Sequence, residues 1–229
     1  MPGGGDRLSF EGFGGTAWLR KQLGMVTTYA SELTEFTLFH SEHLTAADDL
    51  TLDESETATH FKEMSTCHQT IETSRCYQIL EETFNFVPAT IIDTIYNYGF
   101  EIMLIGNDIR ELVRLETNWD PGYYYSGVTF PGYEGYTQIW SASKGGKNIL
   151  IHEIGHAYDF SLGSLSSSEA FQALFQSEGK KLFPIEPLYR SKASEFFAES
   201  FKLYLTMPWR LKLFAPKTYL FFEDLFQAL

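Results

Sequence analysis

Two histidines four residues apart, His152 and His156, follow three apolar residues, Ile149, Leu150 and Ile151, and a Gly145-Gly146 break. On a helix, that spacing puts both imidazoles on one face, one turn apart. The pattern predicts a helix that begins near Lys147 or Asn148, threads a core and shows one face to a cleft. Gly155, just before the second histidine, costs about 1 kcal/mol of helix propensity and permits close approach of another backbone. The plain structural reading is a buried helix with two satisfied histidines.

The chemical reading is richer. Imidazoles at i and i+4 can share one ion about 2 Å from each. Glu153, next to the first imidazole, lies beside such an ion and not on it, where it can take a proton from a water that the ion activates. Two protein ligands do not complete a catalytic zinc site; a third is needed, with one position left open. A third histidine six residues after His156 would mark the metzincin class, but that position is Leu162, and Asp159 stands where that class has glycine. A later helix offers carboxylates instead. Glu195 and Glu199 share one face at i and i+4, while Phe197 and Phe201 share another. One carboxylate can bind zinc while the other orients a ligand histidine; the alternative is a solvated acidic stripe. His40, His43, His60 and His68 fall in a polar N-terminal stretch and read as surface histidines.

A chain of 229 residues suits one large domain or a domain plus a small lobe. Residues 1–15 carry six glycines and read as a flexible lead-in. Residues 16–86 read as a polar, mostly helical N-terminal lobe, and 87–229 as the catalytic domain, the two forming one compact unit. Pro88 to Tyr98 reads as a helix with Gly99 just beyond it, Glu101 to Ile105 as a short buried strand, and Val128–Phe130 with Thr137–Trp140 as two strands joined by a loop. From Gly163 onward the chain reads as helical. This order is that of an α+β domain. With 44% hydrophobic residues a real core is available, and the 16% aromatics read first as bulky core.

A formal charge of −13 makes nucleic acid a poor partner. No run of about 18 apolar residues exists, so no membrane span is expected, and the N-terminus lacks the pattern of a signal peptide. Cys67 and Cys76 are the only cysteines. On one continuous helix they would sit roughly 13 Å apart, too far to bridge; with a loop between them they could close a disulfide.

These residues resemble the protease domain of anthrax lethal factor and its smaller relatives, the Pro-Pro endopeptidases. His152 to Asp159 is similar to that family's HEFGHAxD run, Glu195 to Phe201 to its EFFAEAF helix, and Ala215-Pro216-Lys217-Thr218-Tyr219 to an APKTF segment. The resemblance covers roughly residues 125–229. It implies a zincin-like metalloprotease domain with a small mixed sheet, and an active, monomeric zinc endopeptidase of the gluzincin kind, secreted or delivered to a host cell. It implies one zinc on His152, His156 and Glu195, Glu153 as general base and Glu199 behind a ligand. Tyr189 is the tyrosine in the window of the family's oxyanion-stabilising residue, at a spacing one residue shorter than the family's. A peptide substrate would add as an extended strand beside Gly127, Val128, Thr129 and Phe130. The same family contains a non-enzymatic domain, so a catalytically silent binding or toxin-delivery module is the other class to test.

Overall fold

The computed structural model of the chain describes residues 44–106, 109–110, 126–133 and 136–227. The expected lead-in, and His40 and His43, lie outside these residues.

Five strands form one mixed sheet: β1 (Leu44–Ala46), β2 (Ser65–His68), β3 (Glu101–Ile105), β4 (Gly127–Tyr133) and β5 (Tyr136–Ala142), in spatial order β1-β2-β3-β5-β4. β2, β3 and β5 run parallel, with Ile102 opposite Ser65 and Ile139. β1 and β4 are antiparallel edges. The Glu-Ile-Met-Leu-Ile run of β3 is buried after its first residue, as suits a strand covered on both faces.

The helices are α1 (Glu56–Glu63), α2 (Thr73–Phe84), α3 (Ala89–Tyr98), α4 (Lys147–Ser161), α5 (Glu169–Leu182), α6 (Pro187–Ser191), α7 (Ala193–Thr206), α8 (Pro208–Phe214) and α9 (Pro216–Gln227). The expected helix before Gly99, the strand at 101–105 and the helix starting at Lys147 are all present. α4 lies between β4 and β5 on one side and α7 on another. Among the described residues, no helix is long and apolar enough to cross a membrane.

The stretch expected to be helical from 16 to 86 is, where described, two helices and two strands. Ser65-Thr66-Cys67-His68 has no apolar alternation to announce a strand; its pairing with β3 and a Cys67–Cys76 disulfide fix it there. The bond joins β2 to α2 across 6.1 Å between Cα atoms, so the cysteines close a loop and do not share a helix. His60 and His68 are not surface histidines. His68 sits fully buried on β2 beside the Thr70 hydroxyl, and the half-buried His60 bonds Asp93 and stacks on Tyr96 at 4.1 Å.

One carboxylate ties α5 to α9. Buried Glu178 of α5 accepts from the Lys217 and Thr218 amides and from the Thr218 hydroxyl. These are orphan donors of the first turn of α9, so Glu178 caps that helix from another element. The Phe rings of α5, α7 and α9 close over one another beneath, Phe171 to Phe197 and Phe197 to Phe222 each at 5.1 Å.

Candidate active site

α4 buries Ile151, Ile154, Ala157 and Tyr158 and turns His152 and His156 to the opposite side. The two rings lie one turn apart, 4.9 Å between centroids and nearly perpendicular. α7 approaches α4 closely because of Gly155. A Cβ there would meet Ala198 Cα and Phe201 Cδ1 at 3.0 Å, tighter than most side-chain contacts. That approach carries Glu195 and Glu199 to the histidine pair.

Glu195 Oε2 stands 3.4 Å from His152 Nε2 and 3.6 Å from His156 Nε2. Ligands about 2.0–2.1 Å from a tetrahedral ion are themselves about 3.3 Å apart, so these gaps fit one divalent cation among the three donors. One ligand atom from each residue lies within 4.8 Å of the others. Behind them, Glu199 Oε2 accepts from His152 Nδ1 at 3.0 Å, and Lys202 Nζ pairs with Glu199 Oε1 at 2.6 Å. With Nδ1 committed to Glu199, Nε2 is the nitrogen that would give up its proton to bind an ion.

The charges are arranged to match. Burial alone would lower the His152 pKa, but hydrogen bonds to Glu195 and Glu199, and the charge of Glu153, outweigh it and raise the value to about 10. Burial works against ionisation of Glu195 too, yet the charge of His156 and hydrogen bonds from both histidines hold its carboxyl well below the usual range. Glu199 is likewise lowered against its burial by His152 and Lys202. Glu153 moves the other way: burial pushes its carboxyl up, only partly countered by the histidines and Thr129. A raised carboxyl beside a lowered one is the separation of roles that acid–base chemistry needs.

Glu153 is buried with its Oε2 accepting from the Thr129 hydroxyl at 2.7 Å. Its carboxyl lies over Gly127, where a Cβ would fall 2.8 Å from Cδ. The segment expected to meet substrate, Gly127 to Phe130, is β4 at the sheet edge, with Val128 and Phe130 paired to Trp140 and Gln138 of β5. Tyr189, on α6, packs its ring 5.8 Å from His152 and 5.1 Å from Phe183. Burial, then the charges of Glu199, Glu195 and Glu153, raise its pKa, so the phenol keeps its proton.

Three residues had drawn no role or a different one. Lys202 follows Glu199 at i+3 and Asp159 follows His156 at i+3, a spacing that places each on its neighbour's face. Asp159 is buried and accepts from the Ser166 amide and hydroxyl, tying the end of α4 to the next turn. Thr129, expected only as part of the strand that meets substrate, also turns its side chain to Glu153; nothing local in the sequence signals that contact.

Known proteins resemble this chain in sequence and fold. A Pro-Pro endopeptidase from Paenibacillus alvei is 28% identical over 164 residues, covering 64% of this chain and 76% of the relative. The solved structure of the Pro-Pro endopeptidase PPEP-2 from Paenibacillus alvei superposes with a TM-score of 0.59 at 21% identity, covering 72% of this chain and 99% of the other, a likeness of fold. The family described as anthrax toxin lethal factor, N- and C-terminal domain, matches residues 62–225, and this chain belongs to that family.

Proposed function

We propose that this protein is a zinc-dependent endopeptidase of the gluzincin kind that cleaves peptides, Pro-Pro bonds among them. Protease activity is supported by the endopeptidase relative. The observation that carries the zinc mechanism is the meeting of two imidazole Nε2 atoms and the Glu195 carboxylate, with the base Glu153 next to them and off the ligand set. A zincin-like catalytic domain is the architecture this implies. The N-terminal residues and the catalytic residues would work as one compact unit, supported by the β2–β3 pairing.

His152, His156 and Glu195 would hold the ion, which when bound polarises a carbonyl and acidifies water. Glu199 keeps the Nδ1 proton of His152 in place, and Lys202 holds Glu199. The substrate backbone adds to the open edge of β4 as an extended strand, so that main-chain bonds set its register. Glu153 accepts a proton from the attacking water and passes it to the leaving nitrogen; its raised pKa suits both halves of that transfer. The protonated Tyr189 phenol donates a hydrogen bond to the carbonyl oxygen as negative charge develops there. The protein acts as a secreted monomer, and the Cys67–Cys76 bond fits an oxidising compartment. A silent binding module would have no need of a base held in place by a buried hydroxyl.

The test is cleavage of a peptide with a Pro-Pro bond, with metal measured on the same samples. Glu153→Gln should keep fold and zinc and lose about 10²- to 10⁴-fold or more in rate. His152→Ala and His156→Ala should lose the metal, and Glu195→Ala should weaken it more than Glu199→Ala, whose effect should be about 10- to 100-fold. Parental cleavage by Glu153→Gln, or full zinc in both histidine variants, overturns the mechanism.

A further inference from the structure

We propose that β4 positions the catalytic base: the Thr129 hydroxyl anchors one oxygen of Glu153, and the bare Cα of Gly127 makes the room in which the other oxygen sits. The inference rests on the reading of Glu153 as base and adds two positioning residues to it.

The Thr129 hydroxyl lies 2.7 Å from Glu153 Oε2 and 3.0 Å from the main-chain carbonyl oxygen of Glu153 itself. It therefore anchors the carboxyl from β4 at a point close to the backbone of α4. A hydroxyl has one proton to give, and with Oε2 as its acceptor the oxygen left for chemistry is Oε1. When Oε1 takes a proton, Oε2 is still an acceptor and Thr129 still its donor. The carboxyl thus keeps its place through both protonation states, as a base that receives and then returns a proton must.

Gly127 stands two residues earlier on the same face of β4. A Cβ there would overlap Glu153 Oε1 and fall 2.7 Å from Cγ and 2.8 Å from Cδ. Any side chain at 127 would displace the working oxygen from where it now sits. Both positions lie on the strand proposed to receive substrate, so one strand would align the peptide through its backbone and the base through its side chains.

The experiment compares Thr129→Val, which keeps the shape and removes the hydroxyl, with Thr129→Ser, which restores it, and with Gly127→Ala. Steady-state cleavage of a Pro-Pro peptide is measured together with metal content, melting temperature and a crystal structure of each variant. Thr129→Val should lose about 10- to 100-fold in kcat with KM and metal unchanged, the scale of a misplacement of about 1 Å. Thr129→Ser should recover most of that loss. The Glu153 carboxyl should be turned away in the valine variant and in Gly127→Ala. Introducing Thr129→Val into Glu153→Gln should cost nothing further. Should the valine variant fail to fold, Gly127→Ala and Thr129→Ser carry the test. Parental kcat in Gly127→Ala, or an unmoved carboxyl with parental kcat in Thr129→Val, overturns the positioning role while an inactive Glu153→Gln leaves the base in place. Parental cleavage by Glu153→Gln removes the base assignment itself.

Discussion

Gly155→Ala separates stability from function in a way the helix contact makes quantitative. Alanine gains about 1 kcal/mol of helix propensity over glycine in an isolated helix. Here the new methyl would stand 3.0 Å from Ala198 Cα and Phe201 Cδ1 and 3.2 Å from the Ala198 carbonyl oxygen. Carbon pairs settle at about 3.5–4.0 Å, so α7 must give way by about a few tenths of an ångström. Overpacking of that kind costs about 1–3 kcal/mol, which leaves a net loss of about 0–2 kcal/mol after the helix gain. For a chain of this length that is a melting temperature lower by about 0–8 °C. The same movement carries Glu195 and Glu199 away from His152 and His156, across gaps that now measure 3.4, 3.6 and 3.0 Å. Misplacement of that order costs up to about 10²-fold in rate. Thermal melts, bound metal and initial cleavage rates on one preparation make the comparison. A variant that melts higher than the parent and cleaves as fast would refute the close-packing argument.

Two further outcomes follow from other parts of the molecule. Removing the Cys67–Cys76 bond, as Cys67→Ala/Cys76→Ala, frees a loop of about ten residues and should cost about 2.7 kcal/mol by chain entropy, seen as an earlier melt with zinc content unchanged. Metal-free protein should lose stability on the alkaline side. The His152 pKa is raised to about 10 from an ordinary 6.5, so its contribution is complete below pH 6.5 and is lost as pH rises through about 10. Melts in chelator should fall across that window, and a flat profile would contradict the carboxylate contacts of His152.

The site was legible in sequence where it is local. Period alone placed His152 and His156 on one helical face, and an apolar run gave β3 its bounds. Glu195 and Glu199 were visible as a pair, but spacing left their roles open; the distances to His152 separate them, Nε2 facing one and Nδ1 the other. What stayed hidden depends on partners far along the chain. Thr129 meets Glu153 across 24 residues. His68 is buried because β2 lies inside a sheet whose neighbours its own residues do not announce. The disulfide was one of two readings until β2 and α2 took their places.

The separation of the site across β4, α4 and α7 bears on how the protein comes into being. The third residue of the proposed ligand set, Glu195, comes 39 residues after His156. Contacts of such range carry a loop-closure cost that other packing must help to meet. A nascent or half-folded chain therefore holds its two imidazoles without the acidic partner that completes the set. In the proposed mechanism the ligand set is complete only with α7 docked, in the same contact that packs its phenylalanines against α5 and α9.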